Sequence, residues 1–398
     1  MAANNGIEIL TENVDGQLYA AVLKNHKIID LYTDYTNTDV KWGSIYLARV
    51  KKIDAKQDFA ILDLGGGKEG LIASKHLRLE KEQRADNREN ISKRLKNGQS
   101  ILVQVKSEGK RSSSEERNKL PNFTMKIYIP GRYLVYSPVS NAVTISRKIQ
   151  NQSVFHAAAE LEGDGGWIIR SSAENATAEI VTVEAKELKE QWQSIKDNVK
   201  NNASTPRLLL SGNNALNRAF IDYANDPNLE RVEICGVKGF EQAKSWCEIH
   251  AQDWLDFLHI APASEGSLFD FRDVSSELDM LDDSYVPLPS GGSIIIESVH
   301  AMTVIDVNRG CSPSIHVANT EAAIEVARQI KLRNISGAVI IDFISLRLKT
   351  DRFKLIEAFE KALSCDPAHP QIHGFTRLGM IEMTRKRRSA PLAEKTTL

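Results

Sequence analysis

The chain has 398 residues, a formal net charge of -1, and 42% hydrophobic and 26% charged side chains. At roughly 150 residues per domain, this length calls for about two to four domains and excludes a single small binding module. No apolar run approaches the roughly 18 residues of a membrane span, and the start, MAANNGIEIL, has no basic segment followed by an apolar one. The expectation is a folded, cytoplasmic protein with no membrane-spanning segment.

Residues 43–77 alternate with period two and are broken by Asp54–Asp58 and by Gly65-Gly66-Gly67, which predicts short strands. Two further runs, Ile101–Val105 and Asn122–Ile129, flank a polar stretch. Residues 91–119 carry eight Lys or Arg against three Glu, a local +5. Short strands with basic turns suggest a small barrel of the OB type, and the local charge permits a surface that tracks phosphates. From Thr177 to Lys200 the apolar spacing is helical, and Asn213–Asp222 and Glu241–Phe257 are read as helices around a strand at Arg231–Ile234. An acidic stretch, six acids against one Arg over residues 270–283, leads to the turn Leu288–Gly292 and the last domain boundary.

Beyond that turn, Ser293–Glu297, Met302–Val307 and Ala338–Ile344 are predicted strands. Asn319–Asn334 is a predicted helix with Asn319 as N-cap, Glu321 and Glu325 early, and Arg328, Lys331 and Arg333 late. Strand, helix and strand in this length make a parallel crossover, whose strands should be buried on both faces. Each carries one aspartate, Asp306 and Asp342. A lone ionised carboxylate buried there would cost several kcal/mol, so each needs a partner. Period two puts Asn308 on the face of Asp306. Two carboxylates and an amide form an oxygen-only ligand set, suited to magnesium meeting a substrate phosphate, and manganese would fit the same oxygens.

The segments MTVIDVN (302–308), NTEAAIEVARQIKLRN (319–334), GAVIIDFI (337–344) and RLGMIEMTR (377–385) resemble the catalytic core of the bacterial ribonuclease E/G family. SLFD (267–270), LPSGG (288–292), GRYLV (131–135), SRKI (146–149) and the barrel at 43–77 match in the same order. The resemblance implies a multidomain α/β plus all-β fold. An RNase H-like domain (1–38 with 208–282) is interrupted by an OB-type barrel (39–126) and a 5′-sensor domain (127–207), and a DNase I-like catalytic domain (283–398) follows. It implies an endoribonuclease that cuts single-stranded, A/U-rich RNA with magnesium, leaving 5′-monophosphate and 3′-hydroxyl ends. The family's metal aspartates fall on Asp306 and Asp342, and its catalytic asparagine on Asn308. Its 5′-phosphate pocket falls on Arg170, Ser171 and Val135, and its RNA-contacting barrel residues on Ile61, Leu71 and Lys119; Lys106, in the basic stretch, is also expected to bind RNA.

Three departures from the family pattern stand out. Ile61 and Leu71 occupy places where the family presents aromatic rings, so apolar contact replaces base stacking. Ser345 stands where the family has another Asp. Cys235, Cys247, Cys311 and Cys365 are scattered with no C-x-x-C, so no zinc link is expected, and the resemblance leaves a homodimer open. These departures motivate an alternative: an RNA-binding relative with weak or no catalysis.

Overall fold

The computed structural model describes residues 6–35, 40–78, 90–109, 120–163, 165–223, 226–261, 266–299, 301–386 and 392. It divides into two compact units, one made of Met1–Tyr35, Asn228–Phe240 and Phe257–Leu398, the other of Thr36–Pro227 and Glu241–Asp256. No helix among the described residues is long and apolar enough to cross a membrane.

In the first unit, Ile7–Val14, Gln17–Lys24 and Lys27–Tyr35 form an antiparallel meander. Both hairpin turns are two residues long, Asp15-Gly16 and Asn25-His26, all at positive φ, the geometry that matches strand twist. Leu229–Cys235 and Leu258–Ala261 add in parallel beside Ile7–Val14 to complete five strands.

The second sheet of this unit has six strands, in the order Tyr285–Pro287, Ser293–Ser298, Met302–Asn308, Gly337–Asp342, Ile381–Arg385 and Gln371–Phe375. Met302–Asn308 and Gly337–Asp342 are parallel and are joined by the helix Ile315–Leu332, as the crossover reading expects; the other pairings are antiparallel. Ile305, Val307, Val339 and Ile341 pack with Ala322, Ala323, Val326 and Ile330 of that helix and with Leu355, Phe359 and Leu363 of the helix Lys349–Leu363. Each buried Val, Leu, Ile or Phe among these contributes about 1.5–3 kcal/mol, so a one-residue register slip that exposed the strand residues is strongly disfavoured.

Two expectations need correcting here. The central strands are buried on one face only, alternating eBiBeBe and eiBiBe in exposed, buried and intermediate positions, because both helices pack on the same side. The helix begins at Ile315 behind the N-cap Ser314, whose side chain accepts from Val317 N. Asn319 is therefore an interior residue, 1% exposed, on the face that packs against the sheet.

In the second unit, Ile45–Asp54, Phe59–Gly65, Lys68–Ala73, Asn122–Thr124 and Ser100–Ser107 close into a five-stranded barrel through pairing of the first with the last, and Arg207–Leu210 adds at its side. A four-stranded sheet, Val143–Ile145, Gly166–Ile169, Leu134–Ser137 and Ile129–Pro130, packs on the helix Ala178–Asn201. The run Asn122–Ile129 is thus two strands in two sheets. The side chain of Gln104 binds both backbone groups of Tyr128, donating to its O at 2.8 Å and accepting from its N at 2.9 Å, which takes Tyr128 out of any ladder.

Candidate active site and RNA-facing surfaces

Asp306 and Asp342 are direct partners across the parallel pairing of their strands, on the sheet face away from the helices, and both are exposed. Neighbouring strands lie about 4.8 Å apart, so the two carboxylates can reach one common point. Asn308, on the same face, donates from Nδ2 to Asp306 Oδ2 at 2.8 Å, which orients that carboxylate and leaves the amide oxygen as a further acceptor. The burial argument for a partner does not hold at exposed positions, but the shared face does. Among the described residues no group of three or more His, Cys, Asp or Glu is arranged around a metal. Two carboxylates completed by waters still suit a magnesium-like ion, which keeps much of its hydration.

The loops leaving these strands are tied to the helix Ile315–Leu332, the one after Asn308 through a neighbouring turn and the one after Asp342 directly. Glu321 Oε2 accepts from Ser290 N at 3.0 Å and from Ser290 Oγ at 2.7 Å, holding the turn Leu288–Gly292. That turn meets the chain after Asn308 backbone to backbone: Cys311 N donates to Gly291 O, and a Cβ on Gly310 would lie 2.2 Å from Gly291 O. On the other side, Asn319 accepts from Ile344 N at 3.0 Å and donates to Ile344 O at 2.8 Å, two residues beyond Asp342.

Arg170 follows the strand Gly166–Ile169, and its N donates to Tyr133 O at 2.8 Å, beside Val135, so the three residues assigned to a phosphate pocket lie on adjoining strand ends. Ser171 is exposed at the start of the short 3-10 helix Ser171–Asn175. The Arg170 guanidinium is already engaged: it contacts Asp222 Oδ1 at 3.1 Å and Ile221 O at 3.4 Å. The preceding GRYLV segment is anchored by buried Glu184, whose carboxylate accepts from the backbone N of Arg132, Tyr133 and Leu134 at 2.5, 2.8 and 2.7 Å. Burial pushes that carboxyl above its ordinary value while these donors pull it down. Asp222, Glu184 and the bridging roles of Glu321 and Asn319 were not singled out in the sequence. Their partners lie 52, 50–52, 31 and 25 residues away, so only tertiary structure exposes them.

On the barrel, Ile61 and Leu71 face each other directly across antiparallel strands and are both half-exposed, with Phe59 on the same face two residues earlier. Lys106 is exposed, and its Nζ lies 3.0 Å from His76 Nε2. Lys119 lies outside the described residues.

A sequence model of the Ribonuclease E/G family matches residues 128–388. The chain is 33% identical over 391 residues to Ribonuclease E of Synechocystis sp., covering 94% of this chain and 56% of that protein. It is 33% identical over 376 residues to a Ribonuclease E/G-like protein of Porphyra purpurea, covering 90% and 71%. It is 30% identical over 364 residues to Ribonuclease G of Salmonella typhimurium, covering 87% and 72%. The chain spans about half the length of the curated Ribonuclease E proteins it matches, 56% and 55%. With a family match across the four-stranded sheet and the six-stranded sheet that carries Asp306 and Asp342, this chain belongs to the Ribonuclease E/G family.

Proposed function

We propose that the chain is a magnesium-dependent endoribonuclease that cuts single-stranded, A/U-rich RNA in RNA processing and decay, prefers 5′-monophosphate ends and acts in the cytoplasm. The observation that carries this reading is the in-register pair Asp306 and Asp342 with Asn308 on an open sheet face. The five-stranded sheet with two parallel additions supports the RNase H-like assignment, and the closed barrel supports the OB-type one. In this reading Asp306 and Asp342 hold the cation, and Asn308 keeps Asp306 turned toward it. The bound ion supplies Lewis-acid activation of the phosphodiester and of water. Arg170 and Ser171 grip a terminal phosphate, with Arg170 shared between that phosphate and Asp222. Ile61 and Leu71 give apolar contact to bases, and Lys106 and Lys119 contact the backbone.

A second reading, an RNA-binding relative with little cleavage, is favoured by the aliphatic Ile61–Leu71 pair and by Ser345, three residues after Asp342, where the family has another Asp. Incubating the protein with a 5′-monophosphorylated A/U-rich oligonucleotide, with magnesium or with EDTA, separates the two. Cleavage only with magnesium supports the first reading, and binding without cleavage supports the second.

A further inference from the structure

The barrel carries a group of charges of which the assignments above use only Lys106. His76 ends the 3-10 turn Ser74–His76, directly after the strand that bears Leu71. Its carbonyl accepts from Met125 N at 2.9 Å and from Thr124 Oγ1 at 3.3 Å, which draws the segment carrying Lys126 against the turn carrying Lys75. Lys106 projects from the strand Ser100–Ser107, with its Nζ 3.0 Å from His76 Nε2. An ammonium group can only donate, so Nε2 accepts and the ring is neutral, with its proton on Nδ1.

Four basic groups from three chain segments therefore meet at one end of the barrel. Burial first, then Lys106, Lys75 and Lys126, hold the His76 imidazole down to about 4, and burial with Lys75 and Lys126 lowers the Lys106 ammonium. The nearby Arg94 guanidinium donates to Ser74 O and Arg78 O, adding another cation. The neighbouring carboxylate of Asp58 accepts from Ile91 N. Among the described residues no carboxylate contributes to these shifts, and such an assembly of like charges is a cost that a bound anion would remove.

We propose that Lys75, His76, Lys106 and Lys126 form a phosphate-contacting subsite for the backbone of single-stranded RNA, extending the track that begins at Ile61 and Leu71. This rests on the RNA reading above. The strands are suitably placed: Leu71 pairs in parallel with Asn122, so four residues further along each chain come Lys75 and Lys126. That is at most roughly 13 Å of extended chain. A single strand of the roughly 4–16 nucleotides that such barrels hold can cover both places. Phosphate beside a neutral imidazole favours its protonation, so binding takes up a proton and tightens as pH falls.

The test is fluorescence anisotropy of a 5′-hydroxyl oligouridylate, read as affinity against salt concentration and pH. Each lost phosphate contact lowers the salt slope by about 0.7 on a single strand, so Lys106→Gln with Lys126→Gln should lower it by about 1.4. Lys196→Gln, on the exposed face of the helix Ala178–Asn201, controls for net charge and should leave the slope unchanged. His76→Gln should flatten the gain in affinity between pH 7.5 and 5.5 that the wild type shows, and circular dichroism checks that each variant is folded. All three lysines are exposed, and Lys126→Gln alone, with an expected change of about 0.7, keeps the test open if the double variant unfolds. A wild type that binds, with folded variants of unchanged slope and pH dependence, overturns the subsite alone. A wild type that does not bind RNA overturns the ribonuclease reading and the subsite with it.

Discussion

Asn319→Leu isolates the clamp that sets the position of Asp342. Leucine matches asparagine in size but can neither donate to Ile344 O nor accept from Ile344 N, so both bonds are lost and both backbone groups lose their partner. Each bond contributes about 1 kcal/mol net, and water reaches the half-buried Ile344 only in part, so the local loss is about 2–3 kcal/mol. At 1.4 kcal/mol per factor of ten, amide exchange across 342–346 should speed up roughly 30- to 150-fold. On the proposed catalytic role of Asp342, cleavage should fall mainly through kcat, because the displaced group would act in the chemical step rather than in holding distant RNA. Exchange by mass spectrometry and cleavage kinetics on one oligonucleotide measure both. Unchanged protection together with unchanged kcat would refute the claim that this clamp positions the carboxylate.

Arg170→Ala should abolish the preference for 5′-monophosphorylated over 5′-hydroxyl RNA, a loss of roughly ten- to a hundredfold on the phosphorylated substrate alone; equal loss on both leaves Arg170 as a structural partner of Asp222. Asp366→Ala takes the paired carboxylate from the Arg385 guanidinium, which is 4% exposed, bonded to Asp366 at 2.6 and 3.1 Å and otherwise to the neutral acceptors Asn334 Oδ1 and Ile335 O; it should lower the stability of its unit by about 3–5 kcal/mol in urea unfolding, whereas a loss under about 1 kcal/mol would contradict that. His76 is held down from 6.5 to about 4 in the folded barrel, so the folded state binds fewer protons than the unfolded chain between those values. The His76 contribution to stability is fully present above about pH 6.5 and should be lost as pH drops toward about 4, and His76→Gln should flatten that part of the dependence in thermal unfolding; an unchanged profile would contradict it.

Much of the candidate site's geometry was legible because its spacing is local. Asp306 and Asn308 share a face by period two alone, and the apolar runs around Asp306 and Asp342 mark two strands joined by a helix. Which face is covered was not legible: intermediate positions such as Val304 and Ile340 look like core in sequence, although the helices pack on the other side. The N-cap reading of Asn319 followed residue preference, yet Ser314 caps the helix five residues earlier, and the apolar stripe Ala318, Ala322, Ala323 and Val326 continues through Asn319. Pairings such as Arg170–Asp222 and Lys106–His76 join residues far apart in the chain, where no spacing rule reaches. The barrel fits this pattern, since Ile61 opposite Leu71 follows from a hairpin register while the basic cluster requires the closed barrel.

The most direct test is single-turnover cleavage of a 5′-monophosphorylated A/U-rich oligonucleotide by Asp306→Asn and Asp342→Asn, with RNA affinity measured on the same preparations. Each change removes one negative ligand while keeping the shape, so cleavage should be abolished with affinity near that of the wild type, and Asn308→Ala should be impaired less. Near-normal turnover in both aspartate variants would contradict the assignment of this strand pair as the catalytic centre.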